Sequence, residues 1–295
     1  QARGDTLRVE RWRQAAKGWR QALAGPAWDG AWYKRAFFDD GTPLGTHTAA
    51  ECRIDLIAQA WSVLSGAATP QRQRSAMAAV AQWLVDDDAG LNRLLTPPLQ
   101  HMVPSAGYIQ AYPPGVRENG GQYSHAGVWK LMAQAQLGDG DGAYRTFTQL
   151  SPAHRSAHPA RRAAYALEPY VMAGDVYTEA PYVGRGGWSW YTGSAAWMHR
   201  AAIESMLGLQ VRADRVCLRP CLPSHWPHVV LSLERAGARH RFTICFANAL
   251  ALLSQAAESG AAPLQAGEWV RLDGGQAGNY LVVLPTRCAK PPGRV

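Results

Sequence analysis

Residues 112–129 read YPPGVRENGGQYSHAGVW, and the fold of this 295-residue chain turns on them. The first fourteen crowd prolines, glycines, an Arg–Glu pair, amides, tyrosine and histidine into a stiff, glycine-broken stretch. From there Val128, Trp129, Leu131, Met132 and Ala135 recur at helical spacing, and Gly138 is placed to stop the run. The stretch therefore reads as a polar loop opening directly into a helix.

Working outward, residues 5 to about 210 read mostly as helix. Arg11 to Leu23 precedes Gly25-Pro26 as one helix. Thr48-Ala49-Ala50-Glu51 has the form of a capping box, with Ile54, Ile57, Ala58, Trp61 and Leu64 as the apolar stripe behind it and Gly66 as its stop. Thr69-Pro70 starts another helix, with threonine as cap and proline in the first turn, striped by Met77, Val80, Ala81 and Leu84. Ala195, Met198, Ala202 and Met206 mark a later one ending at Gly208. After about residue 213 the period becomes two. Val229, Leu231 and Leu233, then Phe242, Ile244 and Phe246, alternate with polar neighbours, and Trp269–Leu272 reaches a turn at Asp273-Gly274. The expectation is a helical region over 1–212 and a small β-sandwich over 213–295.

Composition narrows the function classes. A hydrophobic content of 47% with 18% charged residues implies a packed core. No apolar run approaches the ~20 residues that span a bilayer. The chain opens on Gln1 with no signal-like segment, which reads as a piece of something longer. The net charge of +8 comes mainly from arginines spread along the chain, not from the clustered patch that nucleic acid requires. Cys52, Cys217, Cys221, Cys245 and Cys288 are odd in number and widely spaced, which fits neither a disulfide framework nor a zinc site, so a reducing, cytoplasmic compartment is expected. No G-x-S-x-G elbow, Walker A loop or dinucleotide fingerprint occurs. His154-x-x-x-His158 has metal-like spacing but no acidic partner, and Asp39-Asp40-Gly41 reads as a turn.

The chemistry-bearing residues sit in the loops. Two of them end at helix N-termini, Gly120-Gly121-Gln-Tyr-Ser-His125 and Tyr191-Thr192-Gly193-Ser194. Helix N-termini present unpaired amides and partial positive charge, which suits an anion, and glycine lets the backbone approach it. Threonine and serine are equally the residues of plain N-capping, and His125 equally a core histidine. Both loops serving one anion is the sharper reading. Tryptophan and tyrosine around these loops suit the apolar faces of sugar rings, with carboxylates, amides and arginine for the hydroxyls.

The strings WDGAWYKRAFFDDGTPLG (28–45), ECRIDLIAQAWSVLSG (51–66), the opening stretch, EPYV (168–171) and GGWSWYTGSAAWMHRAAIESMLGL (186–209) resemble, in that order, the C-terminal half of the catalytic region of glycoside hydrolase family 94. CLPSHWP (221–227) resembles that family's entry into its terminal β domain. Within the family the likeness is greatest to the phosphorylase-like end of cyclic β-1,2-glucan synthases and to β-1,2-oligoglucan phosphorylases; cellobiose and chitobiose phosphorylases are more distant.

The resemblance implies a mainly α fold, the C-terminal part of an (α/α)6 barrel followed by a small jelly-roll-like β-sandwich. It implies inverting phosphorolysis of a β-glucoside to α-glucose 1-phosphate, with a β-1,2 linkage expected. Inorganic phosphate is then the co-substrate, with no cofactor and no metal. His125, Thr192 and Gly193 match phosphate-contacting positions, and Glu118 and Tyr123 match positions contacting the acceptor-side sugar. The family's general acid is an Asp in a Gly-Asp-Trp-Asn-Asp segment, which does not occur here. The chain is thus expected to be catalytically incomplete alone. Its expected partners are a β-glucan oligosaccharide, phosphate, the N-terminal part of the same enzyme and, through exposed apolar stripes, a second copy of itself. The expected location is the cytoplasm, including the cytoplasmic portion of a membrane-bound synthase. The alternative is a carbohydrate-binding remnant without turnover.

Overall fold

The computed structural model describes residues 3–235, 237–272 and 276–285. Cys288 and the Asp273-Gly274 turn lie outside them. The chain divides into two compact units, Gln1–Leu137 with Arg145–Met198 and Gly138–Tyr144 with His199–Val295. The fold is mixed, with helices predominating in the first part of the chain. In order the α-helices are α1 (Thr6–Ala24), α2 (Leu56–Leu64), α3 (Pro70–Trp83), α4 (Tyr108–Ala111), α5 (Ser124–Gln136), α6 (Gly140–Leu150), α7 (Pro152–Ala157), α8 (Pro159–Tyr165), α9 (Thr192–Arg200), which continues as a π-helix over Ala201–Met206, and, later in the chain, α10 (Leu250–Glu258). Among the described residues no helix is long and apolar enough to cross a membrane.

Local chemistry sets the boundaries. Thr69 caps α3, its hydroxyl accepting from the Arg72 amide, and Pro70 occupies the first turn. Leu137 closes α5, and Gly138 follows with φ 81°. The capping box at Thr48–Glu51 does not form. α2 starts instead at Leu56, capped by the Asp55 carboxylate, which accepts from the Ile57 amide at 2.8 Å. Glu51 is engaged elsewhere: its carboxylate accepts from the amides of Gln100, His101 and Met102. Three backbone donors outcompete a single reciprocal cap.

The face of α2 also differs from the apolar stripe. Leu56, Gln59, Ala60, Ser62 and Val63 are buried, while Trp61 is 41% exposed. Gln59 explains the rotation. Its side-chain amide accepts from the Tyr33 amide and donates to the carbonyls of Tyr33 and Asp55, so a polar residue lies fully buried at no loss of hydrogen bonding. α2 then packs on α3 and α5, where Ile54, Leu56, Val80, Leu84 and Ala126 share one core cluster. Each fully buried leucine there is worth roughly 1.5–3 kcal/mol.

In the other unit, one antiparallel sheet joins Leu209–Arg212, Arg215–Leu218 and Trp269–Arg271. A second joins His228–Arg235 antiparallel to Ala238–Phe246, which pairs parallel with Gly278–Leu284, itself parallel to Ala262–Leu264. The alternation expected at Phe242, Ile244 and Phe246 is present, and these residues share one core with Val216, Leu218 and Val282 from both sheets. Two of the pairings are parallel, and a helix lies between the strands, where strand alternation alone points to a plain sandwich. Parallel strands need a crossover, and α10 provides it from the apolar run that begins at Ala249.

Candidate functional site

The helices α5 and α9 start beside one short strand. Asp175–Val176 pairs antiparallel with Gln122–Tyr123, the residues leading into α5. The first amide of α5, at Ser124, donates to the Gly174 carbonyl, and the Ser124 hydroxyl donates to the Ala173 carbonyl. Ser194, in the first turn of α9, donates its hydroxyl to that same Ala173 carbonyl and to Tyr191. The Tyr191 amide donates to Met172, and the Gly174 amide to Trp188. Both helix mouths are therefore stitched to residues 172–174, just before this strand, and the two serine hydroxyls share the Ala173 carbonyl.

His125 and Gly193 meet at this junction. A side-chain carbon placed on Gly193 would stand 3.1 Å from His125 Nε2 and 3.5 Å from Cε1. The imidazole stacks on Tyr123 (centroids 5.6 Å, interplanar angle 28°) and meets Tyr191 edge-on at 5.5 Å. Burial lowers its pKa from the ordinary value of 6.5. Its Nδ1 is buried without a hydrogen-bond partner among the described residues. Thr192 and Gly193 are exposed, and the first amides of α9 have no carbonyl one turn back. The junction thus offers backbone donors, a neutral imidazole and access from solvent.

Gly120 and Gly121 do not take part. The Gly121 amide donates to the Arg117 carbonyl, and the Gly120 carbonyl accepts from the Thr178 hydroxyl. Both glycines are buried, and a side chain on Gly121 would approach the Arg117 backbone to 2.8 Å. Their smallness serves a closed turn, and the expectation that this turn opens the Gly121 amide toward an anion is corrected.

Tyr123 hydrogen-bonds to Tyr191; burial, then that bond, then the Tyr191 and Glu118 charges push its phenol pKa up. Glu118 acts electrostatically on Tyr123, Arg117 and Asp175, and its Oε2 is buried with no hydrogen-bond partner among the described residues. A buried, unmet carboxylate oxygen beside a tyrosine is a ready acceptor for a hydroxyl. Two contributors carry no motif. Asp175, 1% exposed, accepts from the amides of Arg117 (2.8 Å) and Trp188, and so ties the two loops together. Asn119, fully buried, accepts from the Leu99 amide and donates to the carbonyls of Leu99 and Tyr112, fixing the turn that carries Glu118. Of the weaker candidates, His154 hydrogen-bonds to Ser151 and His158 precedes α8 as its cap residue. Asp39-Asp40-Gly41 forms the expected turn.

Residues 1–208 match the family model for the glycosyl hydrolase 94 superfamily, catalytic domain. The chain is 46% identical over 243 residues to the cyclic beta-(1,2)-glucan synthase NdvB of Rhizobium meliloti (strain 1021), covering 82% of the chain and 9% of that protein. It is 33% identical to the solabiose phosphorylase of Paenibacillus borealis, covering 76% and 29%. It is 30% identical to the N,N'-diacetylchitobiose phosphorylase of Vibrio furnissii, covering 82% and 30%. The chain thus spans under a third of the length of each of these relatives.

Proposed function

This chain belongs to the glycosyl hydrolase 94 superfamily, and from that premise we propose that it forms the phosphate- and acceptor-binding part of an inverting β-glucoside phosphorylase acting on β-1,2-linked glucan. The observation that carries this reading is the junction of His125 with the first turn of α9, flanked by Tyr123 and Glu118.

Phosphate is already a nucleophile, so the site needs no second carboxylate base. It needs donors that hold the anion in line with the anomeric carbon. The Thr192 hydroxyl, the amides of Thr192 and Gly193 and a His125 N–H supply them. A phosphate oxygen bonds to C1 as the C1–O glycosidic bond breaks, and a carboxylic acid gives its proton to the leaving oxygen. Inversion yields α-glucose 1-phosphate. Glu118 and Tyr123 hold hydroxyls of the departing sugar. The acid's Gly-Asp-Trp-Asn-Asp segment is not in this sequence. We therefore assign it to another part of the parent enzyme and expect the isolated chain to bind without turning over.

The test incubates the chain with linear β-1,2-gluco-oligosaccharides and inorganic phosphate. Phosphate binding by NMR without release of glucose 1-phosphate is the expected result. Release at an enzymatic rate would place the acid within these 295 residues, and failure to bind phosphate would remove the functional reading itself.

A further inference from the structure

The segment that delivers Tyr191 to the site carries two tryptophans on the surface. Trp188 is 66% and Trp190 62% exposed, with Tyr170, 75% exposed, beside Trp190. Single exposed aromatics are ordinary; these are held in place by specific contacts. Trp190 adopts φ 57°, a left-handed conformation uncommon for a bulky residue. Its indole N–H donates to Glu168 Oε1 at 3.1 Å, and Tyr170 meets its ring edge-on at 6.2 Å. Trp188 lies under the Arg117 guanidinium, 5.8 Å from the ring centroid, and the same guanidinium donates to the Tyr112 hydroxyl. The Trp188 amide is fixed by Asp175 and its carbonyl by Gly174. Each indole is therefore oriented by a charged neighbour while leaving much of its surface to solvent.

We propose that Trp188 and Trp190 form a platform for additional glucose units of an oligomeric β-glucan, beyond the sugar next to the phosphate. This rests on the reading of the His125 junction as the phosphate site. Chain continuity supports the placement, because Trp190 precedes Tyr191, whose ring lies against Gly174 and whose successor Thr192 opens α9. The chemistry fits pyranose rings: their C–H faces lie on indole, and their hydroxyls reach Glu168, Arg117 and Tyr112. An oligomer would thus gain affinity with length, whereas a disaccharide would not reach the platform.

The experiment measures binding of a β-1,2-linked glucose disaccharide and hexasaccharide to the isolated chain by calorimetry. It uses the wild type, Trp188→Ala, Trp190→Ala and, as a control, Trp12→Ala on α1. The hexasaccharide is expected to bind about tenfold more tightly than the disaccharide. Trp188→Ala and Trp190→Ala should each reduce that ratio toward one while disaccharide affinity and the phosphate response of His125 are kept. Trp12→Ala should change nothing. Equal affinity for both lengths, a length gain untouched by either substitution, or binding of neither sugar overturns the platform. A phosphate response that persists in those cases leaves the anion site standing. A length gain without any phosphate response keeps the platform and removes the phosphorylase reading.

Discussion

The backbone of Gly193 lies against the imidazole of His125, so close that a methyl group on Gly193 would sit 3.1 Å from Nε2. The first turn of one helix thereby faces a side chain from the first turn of another. Gly193→Ala tests what this closeness is for. Alanine favours a helix by about 1 kcal/mol over glycine, so thermal stability should hold or rise slightly. Phosphate affinity, read by NMR titration, should fall by about tenfold or more, equivalent to roughly 1.4 kcal/mol. Unchanged phosphate affinity would remove Gly193 from the anion site.

Asp175 holds the Arg117 and Trp188 amides from within the core. Desolvation raises its pKa, and the bonds and charge of Arg117 oppose that rise. Asp175→Ala leaves two backbone donors without their acceptor, at about 1–3 kcal/mol for each one that water does not reach. Urea denaturation should show a loss of this order, and Asp175→Asn, which keeps an acceptor, should recover part of it. An alanine variant as stable as wild type would mean that the two loops hold their places without it.

Acid should weaken the first unit through Asp29 and Glu51. Burial pushes the Asp29 carboxyl up, but bonds from the His47 amide and ring and the Thr46 hydroxyl outweigh it, leaving the pKa below the usual value. The bond from the Gln100 amide, opposed by desolvation and joined by those of His101 and Met102, lowers that of Glu51. Both groups titrate lower folded than unfolded. Their contribution is complete above the unfolded pKa of roughly 4 and is lost as pH falls through the folded values. The urea midpoint should therefore drop below pH 4, and less steeply in Asp29→Asn. An identical acid limb in that variant would show that this carboxylate does not carry the effect.

Gly208 has φ 73°, and a side chain there would come within 2.1 Å of the Arg219 carbonyl carbon. Backbone cannot yield as a flexible side chain can. Gly208→Ala should cost roughly 3 kcal/mol or more, from strain and overpacking together, seen as a lower melting temperature. A melting temperature within a degree of wild type would contradict it.

The local signals in the sequence were dependable where one turn of chain contains the whole cause, as at Thr69-Pro70 and at the Gly138 stop. They failed where the deciding partner was distant. Glu51 is drawn from its cap by amides about fifty residues away, and Gln59 turns α2 through Tyr33, 26 residues back. Parallel pairing across α10 was hidden because strand periodicity carries no direction. At the site, His125, Tyr123, Thr192 and Gly193 were legible as residue types at helix mouths, and the structure brings His125 to Tyr123 and Gly193. Asp175 was not legible: its role depends on Arg117, 58 residues away, and no short pattern marks it.

The most direct measurement is the titration of the His125 imidazole by NMR, without and with inorganic phosphate. Burial holds its pKa below 6.5 in the free chain. A bound anion at the α9 mouth should stabilise the imidazolium and move that pKa upward, saturably, with the effect lost in Gly193→Ala. A His125 titration that phosphate leaves unmoved would contradict the account at its centre.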